Sequence, residues 1–246
     1  MKSSPQGQLF AARLEAKLAF RSGQLRRAHE LARDLLDLSD RMGLKELHAD
    51  IPAFVGIFNA FYGYPEDARK GASVALKESR DPDVLVDAAT GLAIAGDGSR
   101  ALELAQEAAA ARPNDLFLTR VKVPVVKAWV LIKRGDGAGA VQTMEPAKPY
   151  DGGNSGALLT RGWAYELSGQ PREAVQEFER ALRMRYFMPE EPNLVVIQLG
   201  LARAYASMGD TSKARKQYET LLQNWKDADA GVPVIEEARK EAEKVR

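Results

Sequence analysis

Hydrophobic residues recur along this chain every three or four positions, which is the spacing of one face of an α-helix. Ala28, Ala32 and Leu35 recur at intervals of four and three residues, which places them on one face of a helix. Apolar residues also form a single stripe along residues 234–245, while acidic and basic residues occupy the other positions of that segment. Such stripes indicate amphipathic helices that bury one face. We therefore expect an all-α protein.

Six pairs of a glycine and an alanine five positions later recur along the chain at a repeat-like spacing. The pairs are Gly23/Ala28, Gly63/Ala68, Gly96/Ala101, Gly135/Ala140, Gly169/Ala174 and Gly209/Ala214, and their glycines lie 40, 33, 39, 34 and 40 residues apart. A glycine ends a helix easily because it adopts the left-handed conformation without a steric penalty, and a small alanine allows the next helix to pack closely. This period is typical of a helical repeat array, in which stacked hairpins share one core.

The glycine spacing predicts about six helical hairpins in a single solenoid over residues 1–246. Four hairpins are expected within residues 9–148, and two more with a C-terminal capping helix within residues 157–246. Glycine and polar residues are concentrated in residues 150–156, which predicts a hinge between the two groups. Pro233 is expected to begin the capping helix, whose outer face carries mixed charges.

The fifth and sixth repeats resemble the tetratricopeptide (TPR) consensus, in which large residues pack against small ones at fixed positions. The matching residues are Leu158, Gly162, Tyr165, Ala174, Phe178 and Ala181, and then Leu201, Ala202, Tyr205, Gly209, Ala214, Tyr218 and Leu221. Pro113 falls on the consensus proline of the third repeat, whereas Arg161 stands where a leucine is usual. The resemblance implies a right-handed α-solenoid that acts as a non-catalytic protein-binding scaffold.

A second resemblance is to the C-terminal TPR region of bacterial eukaryote-like serine/threonine kinases. It lies in residues 114–115, 123–124, 147–150, 199–206, 224–229 and 232–235. Related regions also follow winged-helix DNA-binding domains in bacterial regulators. The resemblance therefore implies a recruiting or sensory region in bacterial signalling. The sequence contains no kinase glycine loop with its lysine, no His-Arg-Asp and no Asp-Phe-Gly, so no catalytic role is transferred.

The net charge and the composition limit the classes of partner that we expect for this chain. The net charge of +1 does not favour binding of this chain to nucleic acid or to anionic membranes.

The sequence also bears on localisation. The longest run without charged residues, residues 51–65, is too short to span a bilayer and contains Pro52. The first residues lack the apolar segment of a secretory signal. We expect a cytoplasmic protein, or an extracytoplasmic one if the chain is the tail of a membrane-bound parent.

No residue pattern suggests catalysis, a metal or a cofactor. The chain has no cysteine, and its two histidines, His29 and His48, are far from each other in sequence and are expected to be structural or to lie at the surface. The glycine-rich segments 96–98 and 135–139 lack the lysine of a phosphate-binding loop and fall where each repeat must turn. We therefore expect neither an enzyme nor a nucleotide-binding protein.

The TPR resemblance implies that a partner peptide or helix binds in the concave groove formed by the first helix of each hairpin. If each turn glycine is counted as position fifteen, the groove positions include Arg13, Lys17, Phe54, Ile57, Phe61, Trp129, Trp163 and Arg203. Aromatic residues beside arginine are typical of interface anchors. Three alternatives stay open: the rings fill the core between repeats, the solenoid binds a small molecule, or the apolar second repeat mediates self-association.

Overall fold

The computed structural model describes residues 5–150, 154–186 and 190–245. Within these residues the structure consists of helices and contains no β-strand. Thirteen α-helices are described: α1 (Pro5–Arg21), α2 (Leu25–Arg41), α3 (Lys45–Phe61), α4 (Pro65–Glu78), α5 (Pro82–Ile94), α6 (Gly98–Ala111), α7 (Val123–Lys133), α8 (Gly137–Thr143), α9 (Ser155–Leu167), α10 (Pro171–Arg183), α11 (Leu194–Ser207), α12 (Thr211–Asn224) and α13 (Pro233–Lys244). The predicted all-α repeat solenoid is confirmed.

The helices pair as α1/α2, α3/α4, α5/α6, α7/α8, α9/α10 and α11/α12, and α13 packs against α12. A glycine lies in the turn of every pair, with φ between 70° and 96°. This left-handed conformation explains why the glycine recurs at each turn. The alanine five residues later is fully buried in each hairpin, from Ala28 to Ala214, because the paired helices approach closely there.

The fourth hairpin departs from the regular pattern. Its first helix begins with a π-helical segment, Leu118–Lys122, and Pro124 is the second residue after that segment. Proline cannot donate a backbone hydrogen bond, and a π segment is one way in which a helix accommodates such an interruption. The second helix, α8, has only seven residues and is followed by a 3₁₀ segment, Glu145–Tyr150.

The predicted hinge includes residues 151–153, which lie outside the described residues. On either side of this segment, α7 and α8 both pack against α9, so the fourth and fifth hairpins are in contact. Asn154 accepts a hydrogen bond from the Ala157 N–H at 2.8 Å and so caps the start of α9. Bending at residues 150–156 stays a prediction.

The last hairpin contacts the first, and the repeat pattern does not predict this contact. The backbone N–H of Asp229 donates to the Gly23 carbonyl oxygen at 3.0 Å, and its carboxylate accepts from the Arg26 N–H at 2.8 Å. Trp225 is 1% exposed and lies between these hairpins. At the start of α13, the Val234 N–H donates to the Tyr62 carbonyl oxygen at 3.4 Å. The predicted capping helix therefore also contacts the second hairpin, and the residues between α12 and α13 contact the first.

Candidate functional site

The inner face of the solenoid is formed by the first helix of each hairpin. Helices α3, α5, α7, α9 and α11 pack side by side in this order. Three cavities lie along this face, and neighbouring cavities share lining residues. We call them the N-terminal, central and C-terminal cavities, and together the inner trough.

The C-terminal cavity, of about 380 Å³, contains four of the residues predicted for the groove. Phe61, Trp129, Trp163 and Arg203 all line it. Phe61 and Trp129 pack edge to face, with ring centroids 5.3 Å apart, and the Arg203 guanidinium lies 5.2 Å from the Trp163 ring centroid. This geometry gives the cavity aromatic walls and a cation–π contact, both common in recognition sites.

Neither tryptophan is fully exposed to the trough. Trp129 is only 6% exposed and belongs to the hydrophobic core, whereas Trp163 is partly buried beside Phe178. The indole N–H of Trp163 is buried and has no hydrogen-bond partner in the described part of the chain. Arg203 also forms ion pairs with Glu241 at 2.8 Å and Glu237 at 2.9 Å, so α13 forms one wall of the cavity.

The central cavity, of about 310 Å³, shares Phe61 and Trp129 with the C-terminal cavity. Phe54 and Ile57, which were also predicted for the groove, line it. Its polar side is formed by Asp87, Thr90, Lys122, Asn154, Ser155, Thr160, Glu191 and Asn193. The π-helical segment ends at Lys122, which carries a charged side chain into an otherwise apolar region of the first helix of the fourth hairpin.

The N-terminal cavity, of about 200 Å³, is joined to the central cavity through Phe54. Arg13 lines it and lies 3.9 Å from Asp50, which lines the same cavity. Lys17 does not line any of the three cavities and instead lies 4.0 Å from Glu190. The structure therefore brings seven of the eight predicted residues to the inner trough and places Lys17 beside it.

Burial changes the acidity of the carboxyl groups along the trough. Removal from water raises the pKa of Asp87 to about 6, although Lys122 opposes this shift. Burial likewise raises the pKa of Asp50 and of Glu191 above the ordinary values of their side chains. Perturbed carboxyl groups that meet in a cavity are candidate binding groups.

Asp87, Lys122 and Glu191 were not predicted as groove residues from the sequence. The repeat register of Asp87 and Lys122 nevertheless matches that of the groove positions. Asp87 lies nine residues before Gly96, the same register as Phe54 before Gly63, within a helix that is mostly apolar. Lys122 also falls in the groove register, thirteen residues before Gly135. Glu191 lies in the connection before α11, outside any repeat register, so its position could not be inferred from the repeat.

Other candidate chemistry has a structural explanation. His29 lies 2.9 Å from the Asn59 side-chain oxygen, and His48 lies 3.2 Å from the Ser39 hydroxyl. Asp136 accepts from the Gly139 N–H at 2.8 Å, so the glycine-rich segment 135–139 contains a capped turn. Across the described ranges no group of residues could hold a metal ion. No described helix is long and apolar enough to cross a membrane.

Comparisons with known proteins support this interpretation of the fold. The tetratricopeptide repeat family matches residues 157–227, and no curated protein matches the sequence. A thermophilic TPR protein from Thermus thermophilus is 22% identical, with a TM-score of 0.57, over 80% of this chain and 98% of that chain.

Two further solved structures are more distant. A TPR protein from Parabacteroides merdae is 15% identical, with a TM-score of 0.45, over 97% of this chain and 91% of that chain. MamA from Desulfovibrio magneticus is 18% identical, with a TM-score of 0.45, over 74% of this chain and 97% of that chain. Residues 157–227 match the tetratricopeptide repeat family, and the chain has a helical solenoid fold similar to that of the Thermus thermophilus TPR protein over 80% of its length.

Proposed function

We propose that this chain is a non-catalytic scaffold that binds an extended segment of a partner protein in its inner trough. TPR folds generally mediate protein–protein interactions, which supports the class of function. The observation that carries the proposal is that Phe61, Trp129, Trp163 and Arg203, contributed by four different hairpins, line a single cavity. Aromatic residues and arginine in desolvated pockets dominate the binding energy of many interfaces.

An extended segment suits this trough better than a single compact ligand. Phe54 lines both the N-terminal and central cavities, and Phe61 and Trp129 line both the central and C-terminal cavities, so the three form a row along the inner face. A row of pockets accommodates successive side chains of one chain, as in other peptide-recognition sites. The partner is expected to place apolar side chains in the C-terminal and central cavities.

The proposal is tested by selecting peptides from a phage-displayed library of random peptides on the full-length chain. The enriched peptides are then synthesised, and their affinities are measured by fluorescence anisotropy. Phe61→Ala and Trp163→Ala are expected to weaken binding at least tenfold, because each removes part of the cavity wall. Leu116→Ala, an exposed apolar residue that lines none of the three cavities, is the matched control and should stay within about twofold of wild type.

Circular dichroism and urea unfolding would establish that each variant is folded before its affinity is interpreted. Failure to enrich any peptide above the bare support would overturn the proposal. The same conclusion would follow if folded Phe61→Ala and Trp163→Ala variants bound the selected peptides as tightly as wild type.

The resemblance to kinase-associated TPR regions supports a more specific hypothesis. In that case the chain would recruit or sense partners for a bacterial serine/threonine kinase or winged-helix regulator. The complete native gene tests this hypothesis, since it should encode one of those domains upstream. Self-association through the second hairpin is a separate hypothesis, which light scattering over a range of protein concentrations would test.

A further inference from the structure

Some acidic side chains along the inner trough have a basic partner of their own, and others do not. Asp50 has Arg13 at 3.9 Å, and Glu190 has Lys17 at 4.0 Å. Each of these acids therefore lies beside one cation, and each pair is neutral as a whole.

A larger group of charged side chains includes Lys122, which lines the central cavity. Arg112 lies 2.6 Å from Asp81 and 2.7 Å from Asp83, and the Lys122 amine lies 2.8 Å from Asp83. The negative charges of these two acids equal the positive charges of the two basic residues. Asp115 is a third acid that lies 3.9 Å from Arg112, so this group has no surplus positive charge for Asp87 or Glu191.

Among the described residues, Asp87 shares its only cation, Lys122, with Asp83, and Glu191 has no cation in contact with it. Lys122 lies 3.6 Å from Asp87, but it is closer to Asp83 and its single charge is already matched there. Glu191 accepts the Asn193 N–H at 3.4 Å, and no described lysine or arginine lies within 4.0 Å of it. Both carboxylates line the central cavity, which therefore has an excess of negative charge.

The opposite wall of the same cavity is apolar and aromatic. It includes Phe54, Ile57, Phe61, Trp129 and Leu159. A cavity of about 310 Å³ is near the lower end of the range for ligand sites, which suits one long side chain and its adjacent backbone. Lysine and arginine combine an apolar stem with a terminal charge, and their cations are attracted to aromatic faces.

We propose that the central cavity receives a lysine or arginine side chain of the partner segment. Its stem would pack against Phe54, Phe61 and Trp129, and its charge would lie beside Asp87 and Glu191. This inference rests on the proposed function and specifies the chemistry of the partner at one position. The partner is thus a segment that carries a basic residue flanked by apolar ones.

The peptides selected on the full-length chain provide the test. They are expected to share a lysine or arginine at a fixed distance from an aromatic or aliphatic residue. Replacement of that basic residue by norleucine should weaken binding to wild-type protein at least tenfold. The same replacement should have less than a threefold effect on the Asp87→Asn/Glu191→Gln double variant, because the charges that it would meet are gone.

Asp67→Asn is the matched control, since Asp67 is a carboxylate of α4 that lies outside the three cavities and pairs with Lys70. This variant should keep the full preference for the basic peptide. Selected peptides without a shared basic residue, or an equal loss with norleucine on wild type and the double variant, would overturn this inference. If Phe61→Ala still abolished binding in either case, the proposed function would stand, whereas failure to enrich any peptide would overturn both.

Discussion

The indole N–H of Trp225 donates a hydrogen bond to the backbone carbonyl oxygen of Arg21 at 2.8 Å, although the two residues lie 204 positions apart. The same indole packs edge to face against Tyr62, with ring centroids 5.1 Å apart. In a simple solenoid each repeat contacts only its neighbours. Here the first and last hairpins also contact each other, so the two ends of the repeat array are joined.

Replacement of Trp225 should destabilise both ends of the array. Trp225→Ala removes a fully buried aromatic side chain and its hydrogen bond, so we expect a loss of about 3–5 kcal/mol in the free energy of unfolding. Trp225→Phe retains most of the packing but leaves the Arg21 carbonyl oxygen without this donor, so we expect a loss of about 1–3 kcal/mol. Urea unfolding measures both losses.

Hydrogen exchange then locates the effect of Trp225→Ala. Amides at the ends of α1 and α3 should lose protection together with those of α12, because Trp225 contacts Arg21 and Tyr62 there. Met208→Ala, which alters an exposed apolar residue of the last hairpin, is the control and should leave exchange in α1 unchanged. Loss of protection confined to α12 would show that closure contributes nothing to the first hairpins.

A pair of glycine variants separates backbone strain from contact between the ends. Gly63 and Gly169 occupy equivalent turns with φ of 96° and 74°, so alanine should cost about 1–2 kcal/mol at either position. A Cβ at Gly63 would lie 2.6 Å from the Pro233 Cβ, whereas a Cβ at Gly169 would have no neighbour within 4 Å. We expect Gly63→Ala to cost about 1–3 kcal/mol more than Gly169→Ala, because α13 must shift.

Thermal and urea unfolding of the two variants under the same conditions provide the comparison. Gly209→Ala is a second control, since its φ is 75° and no atom lies within 4 Å of the added Cβ. Equal losses at all three positions would mean that Pro233 moves without cost, and the contact between α13 and the second hairpin would then be weak.

Local features of the fold were predictable because each repeat encodes its own hairpin. The turn glycines, the buried alanines and the apolar first helices are periodic, and a periodic signal identifies elements without knowledge of distant contacts. Part of the candidate site was predictable for the same reason. Phe61, Trp129, Trp163 and Arg203 share one cavity because the repeat register places them on the first helices.

Closure of the array was not predictable in this way. It depends on the accumulated rotation of six hairpins, and a small change in each packing angle would separate Trp225 from Arg21. The position of Glu191 depends on the same geometry, since this residue lies in an irregular connection before α11. The π-helical segment that contains Lys122 likewise reflects a local conflict around Pro124 that hydrophobic periodicity does not express.

Arg161, which stands where the TPR consensus has leucine, is fully buried and lies 2.8 Å from Glu177. Removal of one member of a buried ion pair leaves a charge in a poorly solvated place. Glu177→Gln should therefore lower the free energy of unfolding by about 3 kcal/mol. Arg180→Ala should cost less than about 1 kcal/mol, because Arg180 is 42% exposed and its contact to Glu177 is 3.2 Å.

Arg161→Leu restores the consensus residue and should cost less than Glu177→Gln, since Glu177 keeps Arg180 as a partner. Urea unfolding of the three variants ranks these losses. If Glu177→Gln were no more harmful than Arg180→Ala, the other interactions of Arg161 would be sufficient to hold its charge in the core.

Asp87 should make the protein less stable as pH rises. A carboxylate whose pKa is lowered by folding has the opposite effect. Its pKa is raised from 3.8 to about 6 by burial, and its side chain is 25% exposed. Between these values the folded protein holds the proton more tightly than the unfolded chain does. The contribution of this group to the free energy of unfolding therefore falls as pH rises from about 4 to 6, and the cost persists at higher pH.

Asp87→Asn removes that cost, so we expect it to stabilise the protein by about 1–3 kcal/mol at pH 7 and to have almost no effect at pH 4. Lys122 keeps Asp83 at 2.8 Å, so the substitution does not leave this amine without a carboxylate. Urea unfolding at pH 4, 5, 6 and 7 measures the change, with Asp67→Asn as the exposed control. A destabilised Asp87→Asn protein at pH 7 would show that the contact with Lys122 outweighs burial. A gain in stability together with a loss of binding to basic peptides would instead show that this buried carboxylate serves recognition at the expense of folding.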